Sequence, residues 1–116
     1  MDITKNISLL RIFVSSTDII DHQPLYEYIT IKARKEGMAG STVLRGVMGF
    51  GASSKIHSSK FWELTEKLPM VIEIIDETDK VKVFFEAIKP MLNKIPKGIL
   101  ATIEKIDVLM YKSGNK

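Results

Sequence analysis

The chain has no cysteine. That excludes disulfides and thiolate metal centres, and it is compatible with a cytoplasmic location. Only two histidines occur, His22 and His57. Without thiolates they are too few for a metal site, and no pair of carboxylates sits at ligand spacing beside either one. No stretch approaches the roughly 18 apolar residues that span a bilayer. A chain that is not membrane-embedded is expected, and the opening residues lack the basic-then-apolar pattern of a signal peptide. Charge of one sign is also scarce, since 17 Lys and Arg stand against 14 Asp and Glu for a net +3. The two signs are interspersed, so nucleic acid is not the expected partner. No serine has a histidine partner implied by a motif, so no nucleophile with its base is legible and an enzyme is not expected.

What remains is a soluble composition, 45% hydrophobic and 27% charged over 116 residues. One domain over residues 1–116, with a core of its own, is expected from that length. Ser8–Val14 reads as a strand, with Leu10, Ile12 and Val14 on one face and Leu9, Arg11 and Phe13 on the other. Ser15–Gln23 reads as a loop. Pro24 suits the first position of a helix that presents Leu25, Tyr28, Ile29 and Ala33 at helical spacing. Lys32, Arg34 and Lys35 favour its C-terminal end, and Gly37 stops it. Ser41–Met48 is a second strand and Pro69–Asp76 a third, opened by a proline where one is tolerated. Asp76 or Thr78 then caps a second helix. Its stripe is Val81, Phe84, Phe85, Ile88, Met91, Leu92 and Ile95, and Pro90 either kinks it or ends it early. Ile95–Gly98 is a turn, and Ile99–Tyr111 a long final strand or a strand pair.

Strand, helix, strand, strand, helix, strand is the order of an α+β, ferredoxin-like βαββαβ sandwich. Two helices cover one face of a four-stranded antiparallel sheet. The other face is not polar. Leu9 and Phe13 lie opposite Leu10, Ile12 and Val14; Met70, Ile72 and Ile74 lie opposite Val71 and Ile75; and Leu100 and Leu109 oppose Ile99 and Ile103. Strands apolar on both faces imply that both are covered, and with no sequence left to do it, self-association is expected. On that basis Phe13 or Ile74 replaced by Asp should dissociate the assembly.

Gly37–Trp62 holds five of the seven glycines and runs into a polar loop at about residues 51–68. A loop that long between two strands is usually functional or disordered. Within it, Ala52–Lys60 is expected to be mobile, and Ser59–Leu68 has the spacing of a short helix carrying Phe61, Leu64 and Leu68. Gly46, Gly49 and Gly51 allow positive φ and close approach of a ligand, and successive amides there can nest an anion. The alternative is a bulge or bend where the strand leaves the sheet. Arg45 beside them either grips a phosphate with two bonds or pairs with Glu73. Lys55, His57 and Lys60 make the loop locally basic, suited to phosphate or to an acidic patch on a partner. Phe61 and Trp62 either stack on a ligand or anchor the loop.

Gly37-Met38-Ala39-Gly40-Ser41-Thr42-Val43-Leu44-Arg45 followed by Gly46-Val47-Met48-Gly49-Phe50-Gly51-Ala52-Ser53-Ser54-Lys55-Ile56-His57 resembles the uncharacterised PII-like proteins. They are relatives of the nitrogen-regulatory PII signal transducers. Pro24-Leu25-Tyr26 and Leu68-Pro69 extend the likeness to nearly the whole chain. The resemblance implies a ferredoxin-like fold and a homotrimer packed through the sheets. It also implies a small anionic ligand, an adenine nucleotide, in clefts between subunits. By position, Gly49-Phe50-Gly51 matches the loop root and Lys97-Gly98 loosely matches the glycine-basic turn. With Arg45 these are the candidate ligand residues, and Lys55, His57 and Lys60 form the candidate partner-binding loop. Ala52 stands where PII proteins have a basic residue, and the last strand offers Lys105 but no arginine. The implied role is signalling: the ligand sets the loop, and the loop regulates a membrane transporter or an enzyme. The alternatives are a small phosphate-ester hydrolase and a ligand-free structural adaptor. The glycine-arginine loop of acylphosphatases and the aromatic-rich strands of RNA-recognition domains are both missing.

Overall fold

The computed structural model describes residues 1–51, the backbone of His57–Ser58, and residues 67–115. The expected short helix over Ser59–Leu68 and the expected mobility of Ala52–Lys60 therefore fall largely outside the described residues. So do the side chains of Lys55, His57, Lys60, Phe61 and Trp62.

Four strands form the sheet: β1 (Ile7–Ser15), β4 (Gly40–Arg45), β7 (Pro69–Glu77) and β8 (Leu100–Ile106). Two pairs of short strands, β2 (Ile19–Ile20) with β3 (Gln23–Pro24) and β5 (Met48–Gly49) with β6 (His57–Ser58), stand apart from it. The order across the sheet is β4-β7-β1-β8, every pair antiparallel, with β4 and β8 at the edges. Helices α1 (Leu25–Lys35) and α2 (Thr78–Asn93) complete the expected βαββαβ arrangement.

Local signals account for the helices. Leu25, Ile29 and Ala33 step by four and are fully buried, so α1 packs by one stripe. It ends where the Gly37 N–H bonds to the Arg34 carbonyl and the Met38 N–H to that of Ala33. That double closure needs a left-handed residue, and Gly37 supplies it at φ 78°. Helix α2 buries Val81, Phe84, Ile88 and Leu92 and runs through Pro90 to Asn93, so the proline neither stops it there nor costs the last turn.

The differences from the expected boundaries have physical causes. Ser15–Gln23 is not a plain loop, because Asp21 (φ 47°) and His22 (φ 65°) make a two-residue hairpin turn between β2 and β3. The second strand stops at Arg45 instead of Met48: the Gly46 N–H still reaches the Pro69 carbonyl at 2.7 Å, the next rung of the same register, but Pro69 has no N–H to return and the ladder ends there. The last strand ends at Ile106, well short of Tyr111. Neither Asp76 nor Thr78 caps α2 with its side chain; Glu77 holds the cap position. The Asp76 carboxylate is fully buried and accepts from the Ala39 N–H at 2.9 Å, the Glu77 N–H at 2.6 Å and Lys80 Nζ at 3.1 Å. It ties the start of β4 to the start of α2, which is tertiary work a cap would not do.

Leu10, Ile12 and Val14 of β1 and Met70, Ile72 and Ile74 of β7 face the helices and form the core. Ile74 thus belongs to the closed face, so Asp there would unfold the chain and not merely dissociate it. The open face carries Leu9, half-buried Phe13 and Val71, and exposed Leu44 and Leu100. At its centre Arg11 donates to Glu73 at 2.9 Å and also to Glu104, bridging β7 and β8 across β1. Those hydrogen bonds, the one to Glu73 first, raise the guanidinium above its ordinary value and keep it ionised.

Candidate functional site

The strand directions sort the polar residues to two ends of the sheet. Pairing of Ile7 with Glu77 and Ile106 defines one end; pairing of Ser15 with Pro69, Phe13 with Leu100 and Arg45 with Met70 defines the other. Arg45, Gly46, Gly49 and the Lys97-Gly98 turn all belong to the second end.

Around Pro69 the structure builds a tight junction. A Cβ on Gly46 would stand 2.6 Å from Pro69 Cγ, and one on Gly49 would stand 3.1 Å from the same atom. None of Gly46, Gly49 or Gly51 has positive φ; Gly37 is the one described glycine that does. The expectation of left-handed backbone there is therefore corrected: Gly46, and less strictly Gly49, makes room for Pro69, a residue that arrives much later in the chain. A Cβ on Gly51 would meet nothing within 4 Å among the described residues. The Gly46 amide is already bonded to the Pro69 carbonyl, so it is not available to an anion. Gly49 pairs opposite His57 in the β5–β6 ladder, which folds the loop back on its own root. Val47, Met48 and Phe50 project from that root, Phe50 with 71% of its surface exposed.

Arg45 is exposed and makes no ion pair among the described residues. The alternative partner, Glu73, lies opposite Thr42 and is taken by Arg11. Beneath the same end, Asp18 is buried; Oδ2 accepts the Ser15 N–H at 2.9 Å while Oδ1 has no hydrogen-bond partner among the described residues.

Lys97 lies on the far edge. It lines a cavity of about 500 Å³ between the end of α2 and the start of β8, together with Phe85, Lys89, Asn93 and Ile99. That size suits a small-molecule ligand, and two lysines with an amide over apolar walls suit an anion attached to a flat apolar group. Lys89 and Asn93 were not singled out from sequence, and Phe85 was expected only as part of the apolar stripe of α2. Their signal was there: residues 85, 89 and 93 step by four and lead straight into the turn holding Lys97. Among the described residues no cluster of three metal-ligating side chains gathers.

The two halves of the candidate site do not meet in one chain. Arg45 ends the β4 edge strand and Lys97 precedes the β8 edge strand, and β7 and β1 lie between them. Three strand spacings separate the edges, about 14 Å, wider than a single phosphate group spans.

A fold of this kind is shared with solved PII-like proteins. A family model described as DUF190, Uncharacterized ACR, COG1993, matches residues 7–108, and the chain belongs to that family. A UPF0166 protein of Aquifex aeolicus (strain VF5) is 39% identical over 101 residues, covering 87% of this chain and 91% of the relative. Among solved structures, CPII of Thiomonas intermedia K12, a nitrogen regulatory PII-like protein bound to ADP, AMP and bicarbonate, superposes with TM-score 0.61. It is 14% identical and the match covers 89% of this chain and 90% of that one. A putative PII-like signaling protein (TTHA0516) of Thermus thermophilus superposes with TM-score 0.62 at 13% identity, covering 88% of each chain. At those identities the likeness shows the fold. No helix among the described residues is long and apolar enough to cross a membrane.

Proposed function

We propose that this protein is a cytoplasmic regulatory sensor, a homotrimer whose clefts between subunits bind a small anionic metabolite of the adenine-nucleotide class. The observation that carries this reading is the division of the site. Arg45 and the glycine root stand at one edge of the sheet, while Lys97, Lys89 and their cavity stand at the opposite edge of the same end. A second copy that sets its β8 edge beside the first copy's β4 edge joins the two into one pocket. The open sheet face supports the assembly. Leu9, Phe13, Val71, Leu44 and Leu100 are apolar, and the charges among them, Arg11, Glu73 and Glu104, are already paired.

In the joined cleft the Lys97 cavity takes the nucleotide, with Phe85 and Ile99 against the apolar part and Lys89 and Lys97 towards phosphate. Arg45, and the amides at Phe50 and Gly51, meet the phosphates from the other side. Occupancy then sets the position of the loop at its Gly49–Gly51 root, and the loop, with Lys55, His57 and Lys60, engages a membrane transporter or an enzyme. CPII, bound to ADP and AMP, gives the precedent for the ligand class in this fold. No nucleophile–base pair is legible among the candidate residues, so binding without turnover is the reading, ahead of phosphate-ester hydrolysis.

The test is titration calorimetry of the purified protein with ATP, ADP, AMP and cyclic nucleotides, alongside an assay for released phosphate. Saturable binding at one site per chain without turnover is expected. Turnover would favour the hydrolase, and no binding by any nucleotide would leave a structural adaptor.

A further inference from the structure

The open face of the sheet is ordered in rows, which the strand registers define. Nearest the candidate site, Leu44, Val71, Phe13 and Leu100 stand side by side across all four strands. The next row is polar from edge to edge: Thr42, Glu73, Arg11 and Thr102. In the third row Glu104 stands beside Leu9 and Ile75 and is reached by Arg11. Beyond it the face closes. Leu9 and Ile7 are buried, and the N-terminal segment is tied to this end by bonds from the Asp2 N–H and Lys5 to Glu77.

The charges at the centre of this face contribute little to the single chain. The side chains of Arg11, Glu73 and Glu104 keep 36%, 25% and 54% of their surface in water, where ion pairs are weak. They are also unbalanced. One guanidinium serves two carboxylates, and Glu73 Oε1, Glu104 Oε2 and Arg11 Nη2 stay outside the two bonds. The remaining titratable side chain on this face of the four strands is Glu77, held by Lys5 at the far end. An apolar row packs against another in many alignments, because the hydrophobic effect has no direction. A charged row does not. Once covered, each leftover oxygen and N–H must meet a partner or the contact is penalised. The exposed hydroxyls of Thr42 and Thr102, at the two ends of the polar row, are donors of the kind those oxygens require.

We propose that Arg11, Glu73 and Glu104 determine the alignment in which copies of this chain pack their open faces. The apolar row beside them supplies the attraction, and the charged row admits only the alignment that gives its leftover groups partners on a second copy. A second copy fits because the row carries both kinds of group, carboxylate acceptors towards its middle and hydroxyl donors at its ends. One alignment also means one number of copies. The inference rests on the self-association proposed above and not on the nucleotide.

The test compares three full-length chains: wild type, Arg11→Met, and Arg11→Met/Glu73→Leu/Glu104→Leu. None of the three positions belongs to the core cluster, so folding does not depend on them. Assembly is read by native mass spectrometry and by light scattering on dilution, at about pH 7.5 and about pH 4, where carboxylates take up protons. Wild type should give one size, and it should dissociate about tenfold more readily at the lower pH, because protonated carboxyls no longer balance Arg11. Arg11→Met should do the reverse. At the higher pH it covers two like charges without a cation and should dissociate at least about tenfold more readily than wild type, and at the lower pH it should reassemble. The triple variant should assemble at least as tightly as wild type at both pH values, but as more than one size. Opposite pH profiles for wild type and Arg11→Met would place the charges inside the contact, a result that a role confined to the single chain does not produce. An Arg11→Met chain that assembles like wild type at both pH values overturns the inference and leaves sheet association standing. So does a triple variant that keeps the single size of wild type. A monomeric wild type overturns both.

Discussion

The two ends of the sheet are built on opposite plans. At the Ile7/Glu77 end the polar groups answer one another. Asp76 accepts from Ala39, Glu77 and Lys80, the Ser8 and Thr78 hydroxyls bond at 2.7 Å, and the Thr78 N–H reaches the Asn6 carbonyl. At the Ser15/Pro69 end the backbone is drawn tight at Gly46, but among the described residues Arg45 forms no ion pair and Asp18 Oδ1 has no partner, and Lys89 and Lys97 line a cavity. Buried polar groups that are satisfied hold a fold, while cations left without protein partners are available to a ligand. The first end keeps β4, β7 and α2 in register, and the second is free to vary with what it binds.

Breaking the closed end should have the largest effect. Asp76→Ala removes the acceptor of three bonds and leaves the Ala39 and Glu77 amides without it. That should cost about 3 kcal/mol, since each orphaned buried donor costs about 1–3 kcal/mol. For a domain of this size the melting temperature should fall by roughly 10–20 °C. A calorimetric melt within about 2–3 °C of wild type would show that the polar tie does not hold this end.

At the open end the expected effects are smaller and fall into stability and binding. Gly46→Ala forces a Cβ to within 2.6 Å of Pro69 Cγ, and relieving that overlap should cost about 1–3 kcal/mol. Chemical denaturation measures it, and an unchanged midpoint would mean the junction yields freely. Lys97→Ala leaves the fold alone but removes a charge-assisted bond to phosphate worth about 1.5–3 kcal/mol. Nucleotide affinity should therefore fall about tenfold to a hundredfold, read by titration at constant salt. Gly51→Ala sits at the bottom of the scale. With no described residue within 4 Å of an added Cβ and no positive φ, stability should stay within about 0.5 kcal/mol. A larger loss would show that Gly51 is packed against something beyond the described residues.

Much of this was legible in the sequence, for reasons that can be named. Helices α1 and α2 write their buried faces at three- and four-residue intervals, and Gly37 marks a stop that only a residue tolerant of positive φ can make. The sheet's two apolar faces show in the alternation of β1 and β7. What stayed hidden depends on residues distant in the chain. Glycine spacing around Gly46 suggested left-handed backbone, when the cause is Pro69 pressing from the next strand. The β2–β3 hairpin went unseen because Asp21-His22 is not a glycine turn. Ile74 and Phe13 look equivalent in sequence, and only the helix side taken by each strand separates core from open face. The candidate residues Arg45 and Lys97 both stood out, but that they lie at opposite edges follows from strand order alone, and strand order is not written locally.

That separation allows the division of the site to be tested without a ligand-bound structure. Arg45→Ala and Lys97→Ala proteins are prepared separately, dissociated, mixed in equal amounts and reassembled, and nucleotide binding is titrated. If each cleft takes Arg45 from one chain and Lys97 from its neighbour, random mixing restores about a quarter of the clefts to full wild-type composition. Neither variant alone should bind with wild-type affinity, whereas the mixture should show about a quarter of the wild-type capacity at wild-type affinity. A mixture that binds no better than its two parents would place both residues' contributions within one chain and contradict the shared cleft.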